Sequence, residues 1–177
     1  MTRIALFAAL IAALGLIPQL TLAFGVPITA QSLGVMLCGT VLGARQGGLA
    51  ALLFVALVAL GLPLLAGGRG GLGLFASPTA GFLIGFPVAA FATGLIMQRL
   101  GGLAVGWAAG LAAGIGGVVV LYLFGITGLS LVLGRTWVEA ALLVTAFIPG
   151  DLIKAVLAGL ITAALFRARP GSVTSRA

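Results

Sequence analysis

Long apolar runs, each cut by glycine, proline or a lone arginine, leave this chain little choice of solvent. Of its 177 residues, 62% are hydrophobic and only 6% are charged. Soluble globular chains carry about a quarter charged residues, so too little polar surface remains here to hold a monomer in water. In a bilayer every backbone N–H and C=O must be bonded within the protein. Runs approaching the roughly twenty residues that cross a hydrocarbon core select helices for that task. The predicted class is all-α: a polytopic membrane protein folded as one compact bundle.

The spacing predicts six transmembrane helices. The first run is Ile4 to Ala23, followed by a break over 24–29 that holds Gly25 and Pro27. Arg3 before this run, with Thr21 and Ala23 at its end, also loosely fits a cleaved signal peptide, but the run exceeds a typical signal core. Gln31 to Leu42 and Leu49 to Leu62 are shorter apolar segments, separated by a turn over 43–48. Residues 63–78 are irregular and glycine-rich. Thr79 to Met97 and Leu103 to Phe124 are the fourth and fifth spans. Residues 125–147 read as the end of helix five, a turn near Arg135 and a short helix at the interface. About eleven residues, 137–147, are too few to cross. Pro149 then suits the first turn of the sixth span.

Charge sets the orientation. With six spans, Arg3, Arg45, Arg99, Arg167, Arg169 and Arg176 share one side, while Arg69 and Arg135 lie on the other. The positive-inside bias makes the first side, with both termini, cytoplasmic. The net charge of +7 reports this topology rather than nucleic-acid binding, because the basic residues form no stripe. The chain has no histidine and one cysteine, Cys38. That excludes histidine-based metal sites, triads and proton relays, and any disulfide within the chain.

Polar intruders mark the candidate site. Asp151 and Lys154 are the only Asp and the only Lys. Three residues apart at the start of the last span, they share a helix face. Each charge at mid-span costs about 3 kcal/mol on insertion scales, so such a pair marks a pathway or a binding site. Mutual neutralisation is the simpler account of the same spacing. Gln31 opens helix two with an amide that can donate and accept. Arg69 lies in Ala66-Gly67-Gly68-Arg69-Gly70-Gly71, where glycines let backbone approach a ligand. That loop, Gly68 within it and Phe75 just beyond it form a candidate wall on the outer side. The loop is no phosphate-binding loop, since G-x-x-x-x-G-K-[ST] is absent. Ala5, Ala9 and Ala13 recur every fourth residue on helix one, a face suited to close helix contact. An intramembrane enzyme using Lys154 as a base, and a purely structural subunit, are the rival readings.

Three segments carry a family resemblance. Pro27-Ile28-Thr29-Ala30-Gln31, the stretch Gly61-Leu62-Pro63 to Gly71, and Phe147-Ile148-Pro149-Gly150-Asp151-Leu152-Ile153-Lys154 are joined by Ser77-Pro78-Thr79-Ala80-Gly81-Phe82. With these the chain resembles the BioY family, the biotin-binding S components of energy-coupling-factor transporters, over about residues 1–168. The resemblance implies a six-helix S-component fold: a single biotin-binding domain, 1–168, and a cytoplasmic tail, 169–177. It implies that Asp151 and Lys154 contact biotin, with Gln31 and Arg69 near it, and leaves open which cation meets the carboxylate. It implies no catalytic residue, no metal and no cofactor bound by the chain. ATP would be used only by two partner ATPases, joined through a transmembrane coupling subunit that meets the alanine face of helix one. Homo-oligomers without that module are the alternative assembly, and another small vitamin is the alternative substrate. Phe82, Ala80 and Leu64 depart from the residues frequent in the family.

Overall fold

The computed structural model describes residues 1–176; Ala177, the last residue of the expected tail, lies outside the described residues. Eight α-helices dominate: α1 Thr2–Leu14, α2 Gln31–Leu42, α3 Ala44–Ala59, α4 Ala80–Arg99, α5 Val105–Ala112, α6 Leu121–Leu133, α7 Trp137–Val144 and α8 Ile148–Ala168. A π-helical stretch, Ala113–Val120, fuses α5 and α6 into one rod, Val105–Leu133. A 3-10 turn, Thr145–Phe147, likewise joins α7 to α8. Among the described residues three helices are long and apolar enough to cross a membrane: Ala80–Arg99, Val105–Leu133 and Trp137–Ala168. The helices α1, α2 and α3 are apolar but shorter.

The bundle is built around α2. All of its residues except Leu33 are buried, and it packs on α1, α3, α4, α8 and the π-helical stretch. A short apolar helix with no lipid-facing side is stable only when neighbours cover it completely. Small residues let them come close. A Cβ on Gly39 would lie 2.6 Å from Thr93 Cβ of α4, and one on Gly128 of α6 would lie 2.5 Å from Gly81 Cα of α4.

Two expectations are corrected. The first apolar run is not one helix to Ala23: α1 stops at Leu14. Gly15 follows it, pressed to within 2.8 Å of Gln31 and of the Leu64 carbonyl by the position its Cβ would take. Pro18 disfavours helix at Ile17. The chain instead forms a two-stranded hairpin, β1 Leu20–Thr21 with β2 Pro27–Ile28, turned at Gly25. The expected turn over 43–48 shrinks to one residue, Gly43, at φ +81°. Gly47 is helical because it serves packing, its absent Cβ leaving room for the Cys38 carbonyl. As expected, the fifth helix continues beyond Phe124; it reaches Leu133, since Gly125 and Gly128 give room to the Phe82 ring and the Gly81 backbone. It ends at Gly134 in the left-handed conformation. The turn near Arg135 leads directly to α7, whose N-terminus is closed by Thr136 and Glu139 in a reciprocal capping box. Glu139 is thereby accounted for.

The residues after α8 fold back on the bundle. Thr174 donates to the Val41 and Leu42 carbonyls, and Ser175 to that of Thr40, capping the end of α2. Arg176 binds the Gly101 and Leu103 carbonyls, and Arg3 that of Gly171. Both chain ends and the α4–α5 loop therefore meet at one pole.

The helix crossings generate a comparison. Gly128→Ala forces a methyl into the Gly81 backbone and should destabilise by about 1–3 kcal/mol. Gly114→Ala, whose methyl meets nothing within 4 Å, should be neutral or slightly stabilising. Thermal melting of the purified variants in detergent checks the pair.

Candidate functional site

Asp151 enters in the first turn of α8, where the helix dipole favours an anion. One turn on, Lys154 donates from Nζ to Asp151 Oδ1 at 2.8 Å. The pair is not alone. Ser32 Oγ of α2 donates to the same Oδ1 at 3.2 Å and accepts from Lys154 Nζ at 3.0 Å. Tyr122 of α6 donates its hydroxyl to Asp151 Oδ2 at 2.8 Å. Three helices thus converge on one carboxylate that is only 8% exposed. Among the described residues this is the only ion pair.

A cavity of about 70 Å³ opens beside this cluster. Ser32, Asp151 and Lys154 supply one wall. Phe82, Phe86, Phe147, Leu83 and Leu121 supply an apolar one. Phe147 packs on Phe82 at 5.8 Å and edge-on to Phe24 of the hairpin at 5.9 Å, a geometry that aromatic quadrupoles favour. Val26 to Thr29 of the hairpin and its exit, Gln31, Leu65, Arg69 and Thr79 complete the lining. The departure at Phe82 has a packing consequence here: its ring fills the space left by Gly125.

Arg69 reaches the cavity from a tight turn. Leu65 and Arg69 exchange backbone hydrogen bonds around Gly67 and Gly68, both at positive φ. Gly68 is exposed and does not line the cavity; its contribution is to the turn that presents Arg69. The Arg69 Nε donates to the Ala66 carbonyl at 3.2 Å, and its two Nη groups make no hydrogen bond among the described residues.

Gln31 has a different part from a free amide. Its Nε2 donates to the Ile11 carbonyl at 3.1 Å and to that of Leu64 at 3.0 Å. Its Oε1 accepts from Ala66 N at 3.0 Å. Both amide protons are spent on the scaffold. Gln31 borders the cavity, but it bolts the end of α1 and the 62–69 loop to α2. Phe75 stands elsewhere: it lines a separate apolar groove between α4 and α6. Ala5, Ala9 and Ala13 are all exposed on α1, whereas Ala8 is buried.

Two members of the cluster escaped the sequence reading. Ser32 could have been found, because it is polar, adjacent to Gln31 and inside an apolar helix. It also places a hydroxyl beside Lys154, where the sequence showed none. Tyr122 carries no polar-intruder signal that sets it apart in its apolar run. Its direction is set by the π-helical stretch just before it. The i→i+5 bonding there widens the turn, so helical phase counted from Val105 does not predict where Tyr122 points.

The arrangement matches known proteins throughout its length. The model of the BioY family covers residues 1–171. The biotin transporter BioY of Rhodobacter capsulatus is 52% identical over 185 residues, spanning 99% of this chain and 97% of that protein. The biotin transporter BioY of Rhizobium etli is 56% identical over 172 residues, spanning 94% of this chain and 92% of its own length. A crystal structure of the S-component for biotin from an ECF-type ABC transporter superposes with a TM-score of 0.88 at 31% identity, covering 94% of this chain and 89% of the other. The chain with this buried four-residue cluster belongs to the BioY family.

Proposed function

We propose that this protein takes up biotin across the cytoplasmic membrane as the substrate-binding S component of an ECF-type transporter. The observation that carries the reading is the unspent bonding capacity beside the cavity. A carboxylate has about four acceptor sites and an ammonium three donors. Asp151 Oδ1 receives two donors and Oδ2 one. Lys154 gives two protons, to Ser32 and Asp151. One acceptor position on Oδ2 and one Lys154 proton remain. The ureido ring of biotin offers an N–H next to a carbonyl and fits that complement. Its sulfur ring suits the Phe82 and Phe147 wall. Its carboxylate then falls to the free Nη groups of Arg69, in a two-pronged contact. Lys154, tied to Asp151, serves the ring end.

In this reading the chain crosses the membrane six times, through α1, α2, α3, α4, the α5–α6 rod and α8. Both termini are cytoplasmic. The meeting of Arg3, Arg176 and the α4–α5 loop at one pole supports that orientation, as does the positive-inside bias. The vitamin enters from the opposite face. Pockets that bury small ligands run from about 300 Å³ upward, so a chamber of about 70 Å³ must widen. The Leu65–Arg69 turn and the hairpin line the chamber, and in this reading their outward movement widens it. Energy comes from ATPase partners through a coupling subunit on the Ala5, Ala9, Ala13 face. This chain contributes no nucleotide site to that module.

Isothermal titration with biotin tests the site. Asp151→Asn and Lys154→Ala should each weaken binding at least tenfold, about 1.4 kcal/mol; unchanged affinity in both removes the site assignment. Arg69→Ala should cost affinity for biotin but little for biotin methyl ester, which has no carboxylate to lose. Tyr122→Phe removes one hydrogen bond to a charged group, worth about 1.5–3 kcal/mol, and should weaken biotin while leaving the fold intact by thermal melting. Gln31→Ala should act first on stability. It strands two buried carbonyls and one N–H, at about 1–3 kcal/mol each, and lowers the melting temperature even without ligand.

A further inference from the structure

At the arginine pole a groove of about 670 Å³ runs up the side of α1. Arg3 and Arg169 stand at its mouth, and Leu6, Leu10 and Leu165 line its length. Ala9 and Ala13 form its floor along α1. Three facts bear on what fills it. The mouth is cationic: among the described residues the two acidic side chains are Asp151 and Glu139, and neither lies at this pole. Among the described residues Arg3 meets only the Gly171 carbonyl, at 3.3 Å, and α1 starts without a side-chain cap or an acid in its first turn. Both features leave positive charge facing out. The lane itself is apolar. From Arg3 to Ala13 it spans ten residues, about 15 Å at helical rise, which is half of a hydrocarbon core of about 30 Å. Cations at one end of an apolar lane one leaflet deep match a headgroup and its chain.

We propose that this groove binds an anionic glycerophospholipid from the leaflet at the arginine pole, its phosphate between Arg3 and Arg169 and one acyl chain along Leu6 and Leu10. Two guanidinium groups can clamp a phosphate through paired N–H donors. Basic recesses between membrane helices on the cytoplasmic side take anionic headgroups on the same principle. The site rests on the membrane reading of the chain and is independent of its vitamin. Because Ala9 and Ala13 form the floor, the lipid occupies the face assigned above to a coupling subunit. The two occupants exclude one another.

Native mass spectrometry of the intact, detergent-purified protein tests this with phosphatidylglycerol and phosphatidylcholine of identical chains. Phosphatidylglycerol should bind at least tenfold more tightly. Arg3→Gln with Arg169→Gln should abolish that preference, while Arg45→Gln with Arg99→Gln, which removes the same charge from the same pole, should preserve it. Ala9→Trp, which fills the lane without touching charge, should lower retention of both lipids. Thermal melting establishes that each variant is folded. Equal retention of the two lipids overturns the proposal. So does an equal loss in the charge-matched control, which would mean diffuse attraction. Indifference to Ala9→Trp also overturns it and leaves the groove to a protein partner.

Discussion

One carboxylate sunk among helices governs this molecule. Asp151 is nearly inaccessible, and a lone ion in such a place would be expelled or neutralised. It survives because α2, α6 and its own helix each bring a donor to it. The same donors tie those three helices together at the level of the cavity. Satisfying the charge and assembling the chamber are therefore a single structural event. The ion pair is weak evidence of stability, since burying two charges offsets much of their attraction. Its incomplete saturation is what gives it a use: the cluster is closed enough to persist and open enough to accept one more partner.

The scaffold around it keeps that cluster from collapsing. Gln31 consumes its whole donor capacity on backbone carbonyls of α1 and of the 62–69 loop. Those bonds fix the loop end nearest the core, while Gly67 and Gly68 shape the turn that carries Arg69. The result is a fixed cluster of charges with the hairpin and the Arg69 turn lining the same chamber. Phe147 links the two, since it lines the chamber and touches both Phe82 of α4 and Phe24 of the hairpin.

Much of this was legible in the residues. The apolar runs foretold an all-helical bundle, and the solitary Asp and Lys foretold where its polar centre lies. The glycine-flanked Arg69 was legible as a loop residue facing the same chamber. What the sequence hid follows from glycine's two trades. Gly47, Gly125 and Gly128 look like breaks but are contact points inside helices, because a neighbour's backbone or ring occupies the missing side chain's place. Pro18 was a stop signal within an otherwise continuous run. Tyr122 was hidden by the π-helical stretch, which resets the phase on which any periodicity argument depends. Gln31 was visible as an intruder, but its role as a bolt depends on carbonyls contributed by segments far away in the chain.

The unequal helices carry a consequence for the surroundings. α1 has 13 residues and α3 has 16, about 20 and 24 Å at helical rise, whereas α8 has 21 and the α5–α6 rod 29. The molecule thus presents a low flank and a tall flank to the same bilayer. Lipid along the low side must thin or the protein must lean, and each ångström of mismatch costs a fraction of a kcal/mol.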